Sequence, residues 1–206
     1  GADRRPLAAI NHGSPAKPSD RPNVKPGFKT AAEWFVKRGF VVVLPIRRGY
    51  GATGGSWAEN NGRCGDPDFR RAGLESAKDI RAAVDYMLRQ SFVRPERALV
   101  VGQSAGGWGS LALASLNPPE VAAIVNFAGG RGGYADGKPN NNCRAERLIE
   151  AAGDYGKTAR TPSLWIYTEN DLFFSPSISR RMAEAYVASG GKAEYHLLGP
   201  FGKDGH

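Results

Sequence analysis

Apolar residues along this chain fall into two alternating periods. Short apolar runs recur at Leu7–Asn11, Phe40–Leu44, Arg97–Val101, Val121–Phe127, Ser163–Thr168 and Ala193–Leu198. Phe40-Val-Val-Val-Leu44 is apolar throughout and β-branched at its centre, the pattern of a strand covered on both faces. Between the runs the period becomes helical. Phe28, Ala31, Ala32 and Phe35 share one face and stop at Gly39, and Ile80, Val84, Met87 and Leu88 mark an amphipathic helix over about Gly73–Gln90. A small-residue helix is expected over Trp108–Leu116, stopped by Asn117-Pro118-Pro119. Others are expected near Arg144–Ala152 and over Ser177–Ser189. Strand and helix in alternation predict an α/β fold: a doubly wound, mostly parallel sheet with helices on both faces. No internal repeat or composition break divides it, so residues 1–206 read as a single domain.

Composition narrows the function classes. Glycine (27 of 206) and proline (14) gather in the stretches between apolar runs, giving a rigid scaffold with long loops at about 47–70 and 128–160. The longest apolar runs are far short of the ~20 residues of a membrane span. A net charge of +8 raises the question of a nucleic-acid partner, but the basic residues come as scattered pairs (Arg4–Arg5, Arg47–Arg48, Arg70–Arg71, Arg180–Arg181). That spacing reads as a solvated basic surface, with no specific nucleic acid implied. Cys64 and Cys143 show no metal-ligand spacing. They are either a disulfide, which favours a periplasmic or secreted protein, or two thiols of a cytoplasmic one.

Ligands of such a sheet bind beyond the carboxyl ends of its strands, and the reactive residues cluster there. Gly102-Gln103-Ser104-Ala105-Gly106 follows one strand and opens a helix, the context in which a G-x-S-x-G serine is held on a sharp turn with its hydroxyl outward. A serine hydroxyl needs a base, and the base needs an acid, in the chain order Ser, Asp or Glu, His. Of three histidines, His12 precedes the serine and His196 lies in an alternating strand. His206, in the loop after the last strand, is the expected base. Glu169 and Asp171 are both candidate acids; Asp171 is preferred, being deeper in its turn and next to Leu172-Phe173-Phe174. Oxyanion donors are expected at the Ala105 amide and in the loop after the first strand, at Ser14 or Gly13, with His12 fixing that loop.

These residues, with Arg48-Gly49-Tyr50-Gly51, Glu169-Asn-Asp171 and Asp204-Gly-His206, resemble the α/β-hydrolase superfamily, most of all its dienelactone-hydrolase-like branch, which borders the prolyl-oligopeptidase-type serine peptidases. The resemblance covers nearly the whole chain. It implies Ser104, Asp171 and His206 as triad, cleavage of a carboxylic ester or related acyl bond in a small molecule, and no metal or organic cofactor. The dienelactone hydrolases proper use cysteine where Ser104 stands, so their specific activity does not carry over. Relative to the superfamily fold, the first two strands and the last helix are expected to be missing.

Arg131, in Gly129-Gly-Arg-Gly-Gly133, is expected to contact an acidic substrate group through paired hydrogen bonds. Tyr50 and Phe173 are further candidates for lining the pocket. The leading function is a serine esterase acting through an acyl-enzyme. A serine exopeptidase and a non-catalytic hydrolase-fold binding protein are the rivals. Oligomeric state and substrate identity leave no trace in the sequence.

Overall fold

In a computed structural model, described over residues 3–206, the apolar runs become the strands of one sheet. In chain order the elements are β1 (Leu7–Asn11), α1 (Lys29–Val36), β2 (Val41–Val43), β3 (Gly62–Arg63), β4 (Asp66–Pro67), α2 (Phe69–Leu88), β5 (Ala98–Gln103), α3 (Ala105–Ser115), β6 (Val121–Phe127), α4 (Ala145–Thr158), β7 (Ser163–Thr168), α5 (Pro176–Ala188) and β8 (Ala193–Leu198). β3 and β4 form a small antiparallel hairpin. The other strands lie in the order β2-β1-β5-β6-β7-β8, and every ladder among them is parallel. The chain steps from β1 outward to β2, then returns to the other side of β1 to lay down β5. That reversal opens a crevice at the carboxyl ends of β1 and β5.

Helices lie on both faces, but unequally. α2, α3, α4 and α5 pack on one another over one face, while α1 lies near β2 and the opposite face, where Phe28 and Ala31 line a cavity together with Val101 and Ile166. α3 is buried from Ala105 to Ala114, the only stable setting for a helix that is apolar all round. Its Trp108 is fully buried and donates its indole N–H to Phe69 O at 2.8 Å. Burial of such a ring stabilises by about 3 kcal/mol, and the hydrogen bond removes the penalty of its polar edge.

Element ends differ from expectation for local reasons. α2 begins at Phe69 rather than Gly73 because the Asp68 carboxylate accepts the Arg71 N–H at 2.8 Å, capping the first turn. α3 begins directly after Ser104, so Gly106 and Gly107 are helical rather than part of a turn. The hairpin β3–β4, unmarked in the sequence, carries Cys64, which is disulfide-bonded to Cys143 across 79 residues. Cross-linking a loop of that length stabilises by about 4 kcal/mol in the chain-entropy account. It fastens the hairpin to the segment that carries Arg131.

Candidate active site

Ser104 sits between β5 and α3 with φ 54° and ψ −121°. A non-glycine residue so placed stores about 1–3 kcal/mol of backbone strain, and the surrounding bonds hold it there. The Ser104 amide donates to Phe127 O at 2.9 Å, and its carbonyl accepts from the Trp108 amide at 2.9 Å. Close approach explains the flanking glycines. A Cβ on Gly106 would fall on the Asn11 and His12 carbonyls, and one on Gly102 would fall on the Gly106 carbonyl.

Two loops far away in sequence bring their side chains to this serine. His206 Nε2 is 2.9 Å from Ser104 Oγ, and His206 Nδ1 is 3.1 and 3.2 Å from the Asp171 oxygens. With Nδ1–H donating to the carboxylate, Nε2 is left to accept the serine proton. Asp171 is buried, and its Oδ1 accepts the Phe173 and Phe174 amides at 2.7 and 2.9 Å. The imidazole stacks on Phe173, with ring centroids 4.1 Å apart. Asp204 ties the two loops, its Oδ1 accepting the Leu172 and His206 amides at 3.1 and 3.0 Å. Gln103 adds a bond to the His206 carbonyl at 3.0 Å. Glu169 makes no contact with His206, and His196 stands exposed on the edge strand β8 with Glu194 as its partner.

Ala105 opens α3, so its amide has no acceptor inside the helix. The Ser14 amide donates to no backbone carbonyl among the described residues, and Gly13 passes so near Ser104 that a Cβ there would lie 3.1 Å from the serine Cβ. His12 braces this loop. Its Nδ1–H donates to the Gly13 carbonyl at 2.6 Å and its Nε2 accepts the Arg47 amide at 3.3 Å. Burial, reinforced by the neighbouring Arg47 guanidinium, lowers its pKa to about 4, so the ring is neutral.

Behind the pocket lies an ion cluster with no periodic or motif signal along the chain. Glu59 is fully buried and is shared by Arg47 and Arg131, with Tyr50 O–H donating to it at 2.9 Å. Burial alone would raise Glu59, but the two guanidiniums outweigh it and hold the carboxyl at about 2. Burial likewise presses Arg131 down, and Glu59 more than reverses that. Arg47 is thus a correction: read as part of a solvated surface pair, it is 1% exposed. Its partner Arg48 does lie outside, bound to Asp79 and Glu75.

A pocket of about 180 Å³ adjoins Ser104, with Ser14, Arg21, Trp57, Arg131 and Phe173 among its walls. Tyr50 is not one of them. It is wholly buried, and its hydroxyl is occupied by Glu59, by Ser14 Oγ at 3.1 Å and by the Trp57 indole N–H at 2.9 Å; its expected contact with substrate becomes a supporting role. Arg21 and Glu59, absent from the sequence-based set, lie in Pro- and Gly-rich loops where one sequence carries no periodic signal. A larger depression of about 520 Å³ near Leu164 and Lys192 holds none of the residues around Ser104.

Known proteins bear out the fold. A solved acylaminoacyl peptidase from Pyrococcus horikoshii superposes with a TM-score of 0.68 at 16% identity, over 97% of this chain and 33% of that one. An esterase from Pyrococcus furiosus gives 0.63 at 18%, over 97% and 75%, and an acetyl xylan esterase from Paenibacillus sp. R4 gives 0.61 at 16%, over 100% and 71%. The chain therefore spans about a third of the peptidase's length. No curated protein sequence matches it. Residues 26–129, which run from α1 through the Ser104 elbow to the end of β6, match the sequence profile of the Prolyl oligopeptidase family; the chain belongs to that family, within the α/β-hydrolase superfamily.

Proposed function

We propose that this protein is a serine hydrolase that cleaves carboxylic esters of small molecules through an acyl-enzyme, with residues 1–206 acting as one catalytic domain. One observation carries the reading: the Ser104 hydroxyl, the His206 ring and the Asp171 carboxylate stand in hydrogen-bonded series. In this account Ser104 Oγ attacks the acyl carbon while His206 Nε2 takes its proton and then delivers it to the departing alcohol. Asp171 fixes the tautomer and steadies the imidazolium that forms. The amides of Ala105 and Ser14, with Gly13 allowing the close approach, receive the developing oxyanion. A water molecule repeats the sequence to release the acid. Esterases among the structural relatives support the ester bond as substrate, and the Cys64–Cys143 bridge supports an oxidising compartment, periplasmic or extracellular.

Membership of the Prolyl oligopeptidase family favours a second reading, a serine peptidase using the same residues. Parallel assays on p-nitrophenyl esters and aminoacyl-anilides separate the two. Turnover confined to the esters supports the first reading. Faster cleavage of the anilides replaces it with the second.

A further inference from the structure

The pocket beside Ser104 is charged in one sign only. Its walls carry the guanidiniums of Arg21 and Arg131 and no carboxylate. Of the acids behind its walls, Glu59 is already shared by Arg47 and Arg131 and Asp171 faces His206, so the pocket side is left with excess positive charge. Arg131 is 5% exposed, and of its nitrogens only Nη2 is engaged, by Glu59 and by Ser76 Oγ at 3.3 Å. Its Nε is buried and has no partner among the described residues. Arg21 lies flat on the Trp57 indole, with Cζ 3.3 Å from the ring centroid, and its buried Nε also lacks an acceptor. Buried donors without a partner are costly. Guanidiniums held by an aromatic face or an ion pair, with N–H groups to spare, match the oxygens of a carboxylate.

Position and size narrow the ligand. A leaving group must lie toward His206, which protonates it, and His206 is not among the pocket walls, whereas Ser104, Ala105 and Ser14 are. The pocket therefore takes the acyl side. Its volume of about 180 Å³ is small beside the roughly 300–1,000 Å³ of drug-sized ligand sites, which suits a short chain. Building on the serine-hydrolase reading, we infer that the pocket is a subsite for a carboxylate at the far end of a short acyl group, so that the preferred substrates are half-esters of short dicarboxylic acids.

Monoethyl succinate and ethyl succinamate test this, since they differ only by a carboxylate in place of a carboxamide. The wild-type enzyme is expected to favour the anionic ester by about tenfold or more in kcat/KM, and Arg21→Gln to bring that ratio toward unity. Arg131→Gln should do the same, but it also strips a buried partner from Glu59 and so perturbs folding, and a binding measurement accompanies it. Calorimetry on Ser104→Ala should detect monoethyl succinate, with affinity about tenfold weaker once Arg21→Gln is added. Both esters cleaved at equal rates, with no effect of Arg21→Gln, would overturn the subsite and leave the hydrolase reading standing. Binding to Ser104→Ala that depends on Arg21, with neither ester cleaved by the wild type, would uphold the subsite and count against ester hydrolysis.

Discussion

Two charged constellations stand on either side of Ser104, and they differ in what their protons can do. On one side His206 bridges Asp171 and the serine, one ring nitrogen on each. On the other, Arg47 and Arg131 enclose Glu59, whose carboxyl is held at about 2, so it stays ionised across the physiological range. The first arrangement suits proton transfer, and the second sets a fixed field and holds the loops that form the pocket. The contrast extends to their support. Asp171 is held by backbone amides of its own turn, while Glu59 depends on side chains from separate loops.

Substitutions should break the two sides in different currencies. On the proton-transfer side, Ser104→Ala is expected to lower kcat by roughly 10⁶-fold with an unchanged thermal melting curve. Asp171→Asn, which leaves the imidazole without its fixed tautomer, should cost roughly 10⁴-fold. Steady-state kinetics beside calorimetric melting checks both. A comparable loss of stability in either variant would mean that these residues serve the fold instead.

On the fixed-charge side, Glu59→Gln leaves Arg47 and Arg131 buried without a counter-charge. Breaking a buried ion pair from one end costs about 3–5 kcal/mol, so denaturant unfolding should show a loss of that size. A loss below 1 kcal/mol would show that water reaches the cluster.

How much of this was legible in the sequence follows from the same division. The strands announced themselves because buried parallel strands need unbroken apolar runs, as in Val121–Val125. The elbow did so because its packing tolerates only glycine at 102 and 106. His206 and Asp171 could be placed by chain order and by their position after strands. Glu59 and Arg47 could not, because a buried ion cluster in an irregular loop has the same composition as a solvated one. Tyr50, placed by its glycine-flanked loop either to line the pocket or to pack the loop, packs the loop, where its hydroxyl serves Glu59 and Ser14. The start of α2 was missed because its cap, Asp68, stands just ahead of the helical period.

The smallest expected effect concerns His12, which joins the two sides. Its folded pKa of about 4 lies below the ordinary 6.5, so the unfolded chain binds a proton there before the native protein does. Stability should therefore be full above pH 6.5 and decline as pH falls toward 4. The His12 share is about 2 kcal/mol between pH 6.5 and 5. Unfolding curves across that range should be flatter in His12→Gln by that amount, and identical slopes would remove His12 from the account.

Whether Ser104, His206 and Asp171 work as one unit is decided by mass spectrometry of the folded protein after reaction with a fluorophosphonate. A single adduct is expected on the peptide containing Ser104, absent from Ser104→Ala and formed far more slowly in Asp171→Asn. An unmodified folded protein, or an adduct on another residue, would contradict it.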